Sequence, residues 1–237
     1  MFGRFLELAI ATQDILASVQ FYAQLGFEQR VTSDAWPHRY GVVGDGRIHL
    51  GLHECRLPSL APSFALPGLE RAQGRLHAAG FEPELVQLGP DALHHVRLRD
   101  PGGHAVVLQE ARTFSPTDPG AQSLCGYFVH LSLPQPDFSR AQEFWERGGF
   151  IAWPQQDQPF AHVPLTSDRL DLAFHQPRSF DAPLLLFECA DLAATIARLR
   201  ECNVPLSDQR PRGVTAARSV VIEAPEGTAL LLVQASE

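Results

Sequence analysis

The chain is poor in the features that would send it to nucleic acid, a membrane or the secretory route. Its 19 Lys and Arg are outnumbered by 27 Asp and Glu, leaving a formal charge of −8, and no run of basic residues occurs. Phosphate groups are bound by clustered cations, so nucleic acid and anionic membranes are expected not to be partners. No apolar run is long enough to span a bilayer, and the N-terminus lacks a basic stretch followed by an apolar core. A cytoplasmic location is the expectation. Cysteine is scarce: Cys55, Cys125, Cys189 and Cys202, none in a Cys-x-x-Cys pair. Free thiols in a reducing compartment are expected, with Cys189 and Cys202 the pair a strand and a helix could bring together. A glycine loop between strand and helix is missing, because Gly44-Asp45-Gly46 and Gly102-Gly103 sit in hairpin contexts. A Gly-x-Ser-x-Gly elbow is missing too. These absences exclude the common nucleotide-binding and serine-hydrolase designs.

What is present is a repeat. A strand, a helix and three further strands recur about every 55 to 60 residues, the kind of fixed period that decides an architecture. The first unit opens with a strand pattern at Phe5–Ile10. Asp14 then stands where a short polar side chain caps a helix, and Gly26 stands where a helix ends. Strands are predicted at Phe27–Thr32, Arg39–Val43 and Arg47–His53. The third unit repeats the order, with Val129–Leu133, a helix after Asp137, Gly149, and strands near Phe160–Leu165 and Arg169–His175. Phe21-Tyr22 and Phe144-Trp145 follow their aspartates at the same distance. The second unit has Ser63–Leu66, a helix near Leu69–Ala79 and a hairpin at Asp100–Gly103. The fourth has Leu184–Glu188, a helix from Asp191 to Arg200 and a turn at Ala224–Gly227. The order is two tandem pairs.

Taken together, Asp14, Phe21-Tyr22, Leu25-Gly26-Phe27, their counterparts Asp137, Phe144-Trp145 and Gly149-Phe150, the helix end Leu76–Gly80 and the turn Asp100–Gly103 resemble the vicinal oxygen chelate superfamily. That group includes glyoxalase I, bleomycin-resistance proteins and extradiol dioxygenases. The resemblance implies an α+β chain of four βαβββ modules forming two tandem open-barrel domains, each a cup with its ligand inside. The first domain is placed at residues 1–112 (modules 3–55 and 61–111), a linker at 113–124, and the second domain at 125–237 (modules 126–176 and 182–235).

The resemblance also implies four strand positions per cup where a metal-dependent member carries ligands. Here they hold Glu7, His49, Ala61 and Val107 in the first cup, and His130, Asp171, Leu184 and Leu231 in the second. Each cup keeps one imidazole and one carboxylate, and Ala, Val and Leu offer no lone pair. A catalytic divalent site usually has three protein ligands, so no metal is expected. If one binds, a Zn, Ni, Mn or Fe ion on Glu7, His49, His130 or Asp171 is the form it takes. The pairs Glu7/His49 and His130/Asp171 read first as residual ion pairs and second as acid/base groups. Other histidines could compensate: one of His94 and His95 must point inward, because strand side chains alternate, and His38, His53, His162 and His175 are further strand or strand-end candidates. Trp36, Tyr40, Trp153 and Phe160, with His162, are the candidates to line a ligand pocket, since aromatic walls with a few polar groups are usual there.

Three functions follow. The first is a metal-independent binding protein holding an aromatic or natural-product-like small molecule. The second is an enzyme of the lyase, isomerase or dioxygenase-like kind, and the third a scaffold with vestigial cups. Monomer and homodimer are both compatible with a chain that carries both pairs of modules.

Overall fold

A computed structural model describes residues 2–58, 60–90, 92–115 and 122–235. The first half runs β1 (Arg4–Ala11), α1 (Ile15–Gln24), β2 (Glu28–Arg30), β3 (Tyr40–Gly44), β4 (His49–His53), β5 (Ala61–Ala65), α2 (Leu69–Ala78), β6 (Leu85–Gln87), β7 (His95–Arg99) and β8 (Ala105–Gln109). The second half repeats it as β9 (Tyr127–Pro134), α3 (Phe138–Gly148), β10 (Ile151–Ala152), β11 (His162–Thr166), β12 (Asp171–His175), β13 (Leu184–Cys189), α4 (Leu192–Glu201), β14 (Leu206–Ser207), β15 (Ser219–Glu223) and β16 (Ala229–Gln234). The four βαβββ modules are those the repeat predicts. Residues 116–121 of the expected linker lie outside the described ones.

Each pair of modules forms one eight-stranded open sheet, ordered β2-β3-β4-β1-β5-β8-β7-β6 and β10-β11-β12-β9-β13-β16-β15-β14. Within a module the first and last strands pair in parallel, and the two modules join through an antiparallel pair, β1 with β5 and β9 with β13. Modules one and two therefore share a sheet, and Glu7 and His130 belong to different cups.

Local chemistry sets the helices. Asp14, Asp137 and Asp191 each accept a hydrogen bond from a first-turn amide, a cap contributing about 1 kcal/mol. The second helix has Gly68 at that place. The Glu110 carboxylate substitutes, accepting from the amides of Gly68 and Leu69 at 2.6 and 2.7 Å. At the helix ends Gly26 and Gly149 take φ of +87° and +109°, values that burden any residue with a Cβ.

Strand alternation divides the side chains. Leu8, Ile10, Leu50, Leu52, Val96, Val106 and Leu108 face the helices, as do Leu131, Leu172, Phe187, Leu230 and Leu232, and all of these join one continuous core. That core crosses between the halves through a ring of aromatics: Phe2 contacts Phe64, Phe81, Phe144 and Trp145, and Trp145 contacts Phe150. Aromatic rings in such tilted and edge-on pairs bury large apolar areas.

Two polar clasps reinforce the junction. The turn of the second module sends Asp100 Oδ2 to Trp145 Nε1 (3.1 Å) and Gln135 Nε2 (2.6 Å) in the other half. The turn of the fourth module returns the gesture, Glu226 accepting from Tyr22 Oη (2.7 Å) and Ser18 Oγ (2.8 Å). The paired aromatics at the same distance from their aspartates are thus explained: Tyr22 and Trp145 each offer a polar tip to the opposite cup. All four cysteines are free; Cys125 and Cys189 are buried and Cys202 is exposed.

Candidate functional site

The concave face of the first sheet is lined by the side chains that alternate away from the helices. Ala9, Ala61 and Ala105 pack with Leu57 and Val107, and these small residues leave a cavity of about 260 Å³. Trp36, His38, His53, Leu57, His95 and Arg97 are among its walls. Of the two neighbouring histidines, His95 is the one that lines the cup. Trp36 stands edge-on to His53 and His95, with ring centroids 5.2 Å from each, and its Nε1 is buried without a hydrogen-bond partner among the described residues. A wider groove of about 770 Å³ adjoins this cavity through Cys55, Arg56, Leu57, Pro58 and Arg97.

Glu7 lies at the floor, fully buried. Its carboxylate does not bond His49. It accepts from Tyr40 Oη at 2.6 Å and meets His53 Nε2 at 3.4 Å, while Tyr40 Oη also lies 2.9 Å from Thr113 Oγ1. Burial, then the charge of Glu7, pushes the Tyr40 hydroxyl far above its ordinary pKa, so it stays a proton donor. The reason Glu7 turns this way is Gly51: a Cβ there would collide with the Glu7 carboxyl group. Glycine inside a strand often marks such a close approach. His49, adjacent on β4, faces Phe114 instead, with ring centroids 4.9 Å apart. Its Nε2 is buried without a hydrogen-bond partner among the described residues. Burial, then Arg30, lowers its pKa to about 4.

His53 continues a chain outward. Its Nδ1 lies 2.9 Å from His38 Nε2, and the donor atoms of His38, His53 and Cys55 all stand within 4.8 Å of one another. His38 has its pKa lowered by burial and then by the two neighbouring imidazoles. His38 and His53 are among the strand and strand-end histidines the sequence offers; Cys55 is the member it does not offer as a ligand. The signal available was the run His53-Glu54-Cys55 at the end of a strand, with His38 in the loop before β3.

The second cup is different. Phe160, Leu184, Leu186, Val221, Leu231 and Val233 pack together on its concave side. Phe160, expected to line a pocket, is 3% exposed and fills the cup as part of this cluster. Recesses of about 350 and 320 Å³ flank the segment that carries it. The first is lined by His130, Trp153, His162 and Asp171; Trp153 is 56% exposed at its edge. His130 and Asp171 form no bond with each other among the described residues. Asp171 accepts from Thr166 Oγ1 at 2.6 Å. His130 stands 5.1 Å, ring to ring, from His162, whose Nδ1 bonds the Phe160 carbonyl at 2.8 Å. Burial, then His162 and His175, drives the His130 pKa down to about 3.

The metal positions implied by the resemblance can be tested on this geometry. The registers place Ser63 beside Val107 and Leu186 beside Leu231, so the second-module positions are Ser63 and Leu186, two residues beyond Ala61 and Leu184. His130 Nε2 is buried without a partner among the described residues, but Leu186 lies directly across from it and no third donor completes a set. The residues at this level of the second cup do not fit a catalytic metal.

The fold has well-defined structural relatives. A catechol 2,3-dioxygenase superposes with a TM-score of 0.62 at 18% identity, covering 100% of this chain and 89% of the other. The 2,3-dioxygenase LapB of a Pseudomonas species gives 0.63 at 15%, covering 100% and 94%. Homoprotocatechuate 2,3-dioxygenase of Arthrobacter globiformis gives 0.64 at 14%, covering 99% and 80%. The chain has the tandem-cup fold of the extradiol dioxygenases. No protein-family model and no curated protein matches it. At these identities the likeness establishes architecture, and the site must be argued from its own residues. Among the described residues no helix is long and apolar enough to cross a membrane.

Proposed function

We propose that the protein binds a small planar molecule in the first cup, and that this cup rather than the second is its working site. The observation that carries the reading is the cavity itself: small side chains at Ala9 and Ala61 leave it open beneath an aromatic wall, while at the matching level of the second cup Leu184 and Phe160 pack together and divide the space into two recesses at its flanks. The wall combines Trp36, Leu57 and Val107 with the imidazoles of His38, His53 and His95 and the guanidinium groups of Arg56 and Arg97, a mixture of apolar surface and a small number of polar groups typical of ligand pockets. About 260 Å³ suits one ring with short substituents. The structural relatives are named for catechol and homoprotocatechuate, which supports an oxygenated single-ring compound as the ligand class. Ring cleavage is not part of the proposal, because the donors it would need at His130 do not assemble.

The test is quenching of tryptophan fluorescence in chelator-treated full-length protein by a panel of phenols, catechols and aromatic acids. Saturable quenching that survives Trp153→Phe and is lost in Trp36→Phe supports first-cup binding. No saturable quenching across the panel, or quenching lost only in Trp153→Phe, overturns it.

A further inference from the structure

We infer that His38, His53 and Cys55 form a three-donor site for a divalent transition metal of the zinc, cobalt or nickel group, with its open coordination position facing the first-cup cavity. Three observations converge on it. The donors are of the right kind: two imidazoles and a thiol suit borderline-soft ions, and an N₂S set with one open position is a catalytic rather than a structural arrangement. They are already gathered, all within 4.8 Å. In a filled tetrahedral site, with metal–N about 2.0–2.1 Å and metal–S about 2.3 Å, neighbouring donors stand roughly 3.3–3.7 Å apart. The two imidazole nitrogens at 2.9 Å need to part slightly and the sulfur to close in. His38 and Cys55 lie outside the strands, where such shifts are least opposed, and His53 is anchored at the end of β4.

The third observation is the buried carboxylate behind them. Glu7 faces His53 Nε2, and an Nε2–H directed at it leaves Nδ1 as the lone-pair nitrogen. Nδ1 is the atom turned toward His38. A carboxylate that fixes the tautomer of a ligating histidine is the usual support of a metal centre, and Tyr40 in turn holds that carboxylate in place. Glu7 is therefore a positioning residue, and Gly51 provides its space. Two cations stand on the cavity wall, Arg56 and Arg97, and Arg97 has Glu84 at 3.4 Å.

The proton balance is definite. In the metal-free protein, with His53 Nδ1 accepting, the 2.9 Å contact takes the His38 Nε2–H proton. On binding, that proton leaves Nε2 and His38 takes one at Nδ1 from solvent, a change of tautomer with no net loss. The Cys55 thiol gives its proton to solvent. One proton per metal ion is released.

The experiment is titration of reduced, chelator-treated full-length protein with Co(II), followed by electronic absorption, and with Zn(II) in competition. A thiolate-to-cobalt charge-transfer band saturating at one ion per chain is expected, displaced by Zn(II), kept in Cys202→Ser and lost in Cys55→Ser. His38→Ala, a loop substitution that leaves the sheet intact, is expected to weaken binding at least tenfold. Glu7→Gln keeps the band but weakens affinity about 10–100-fold, the usual effect of losing such support. No band in the wild-type protein, or a band that survives Cys55→Ser, overturns the site. Because no organic ligand is present here and no metal in the quenching experiment, failure of one reading is separable from failure of the other.

Discussion

Where the first cup carries Ala61, Ser63, Val107 and Gln109, the second carries Leu184, Leu186, Leu231 and Val233. Both sets stand on the concave face of the same central strands, and the registers make them counterparts. Ala61 and Val107 of the first set border a cavity; the second set, joined by Phe160, packs into an apolar cluster. Each additional buried Leu or Phe side chain contributes roughly 1.5–3 kcal/mol from removing apolar surface from water, so the second cup is the stabilising half. The first gives up that contribution and keeps buried polar groups: Glu7 with Tyr40 and His53, and His38 beyond them. Duplicated units can thus divide labour, one serving as core and the other as site, without a change of topology.

The comparison can be broken from either side. The largest effect is expected for Phe160→Ala, which removes the plug of the second cup. By the usual cost of truncating a buried aromatic it should lower stability by about 3–5 kcal/mol, read from the urea midpoint, while leaving first-cup quenching intact. A loss below 1 kcal/mol would mean that Phe160 is not part of the packed interior. Ala61→Leu does the reverse and makes the first cup resemble the second. It should cost about 1–3 kcal/mol if the larger side chain strains its neighbours, and ligand quenching through Trp36 should vanish. Retained binding in a folded variant would place the ligand elsewhere.

Acid sharpens the contrast further. In the folded chain His130 is held near pKa 3 and His175 near 4, chiefly by burial, against an ordinary value of about 6.5. As pH falls below about 6.5 the unfolded chain takes up protons that the folded one refuses. Stability therefore falls with pH from about 6.5 down to about 3–4, by about 1.4 kcal/mol per pH unit for each such histidine. His130→Leu should flatten the decline by one proton, measured as urea midpoints at pH 7, 6 and 5. An unchanged slope would show that His130 is protonated in the folded state. The smallest effect is expected at the junction: Tyr22→Phe removes one hydrogen bond to Glu226 and should cost about 1–2 kcal/mol while leaving both cups as they are.

Much of this architecture was legible in the chain because helix caps, helix-ending glycines and strand alternation are local signals. Asp14 caps its helix as expected and Asp137 does the same before the third, while Asp191, expected as the first helical residue, is the cap of a helix displaced by one residue to Leu192–Glu201. The site was less legible, because it depends on which strands touch and on where flexible side chains turn. Glu7 and His49 do sit side by side on paired strands, yet the carboxylate bypasses His49 for His53, four residues along. The clue was Gly51 between the two histidines, which makes room on one side only. The meeting of His38 with His53 and Cys55 was harder, since a loop residue reaches its partner through a path that no periodicity encodes. Phe160 plugs the cup it is expected to line; nothing in its neighbours along the chain distinguishes a wall from a plug, and the decision falls to Leu184 and Leu186 far along the sequence.

The crossed clasps have a consequence for the chain as a heritable unit. Phe2, at the very start, is seated among Phe81, Phe144 and Trp145, and each half's last turn grips a helix of the other. A chain severed between its two sheets would leave both fragments with a raw aromatic face and orphaned acceptors at Asp100 and Glu226. Neither fragment is then an autonomous module that could be shuffled into another protein; mixed together, the two should find each other and rebuild the whole.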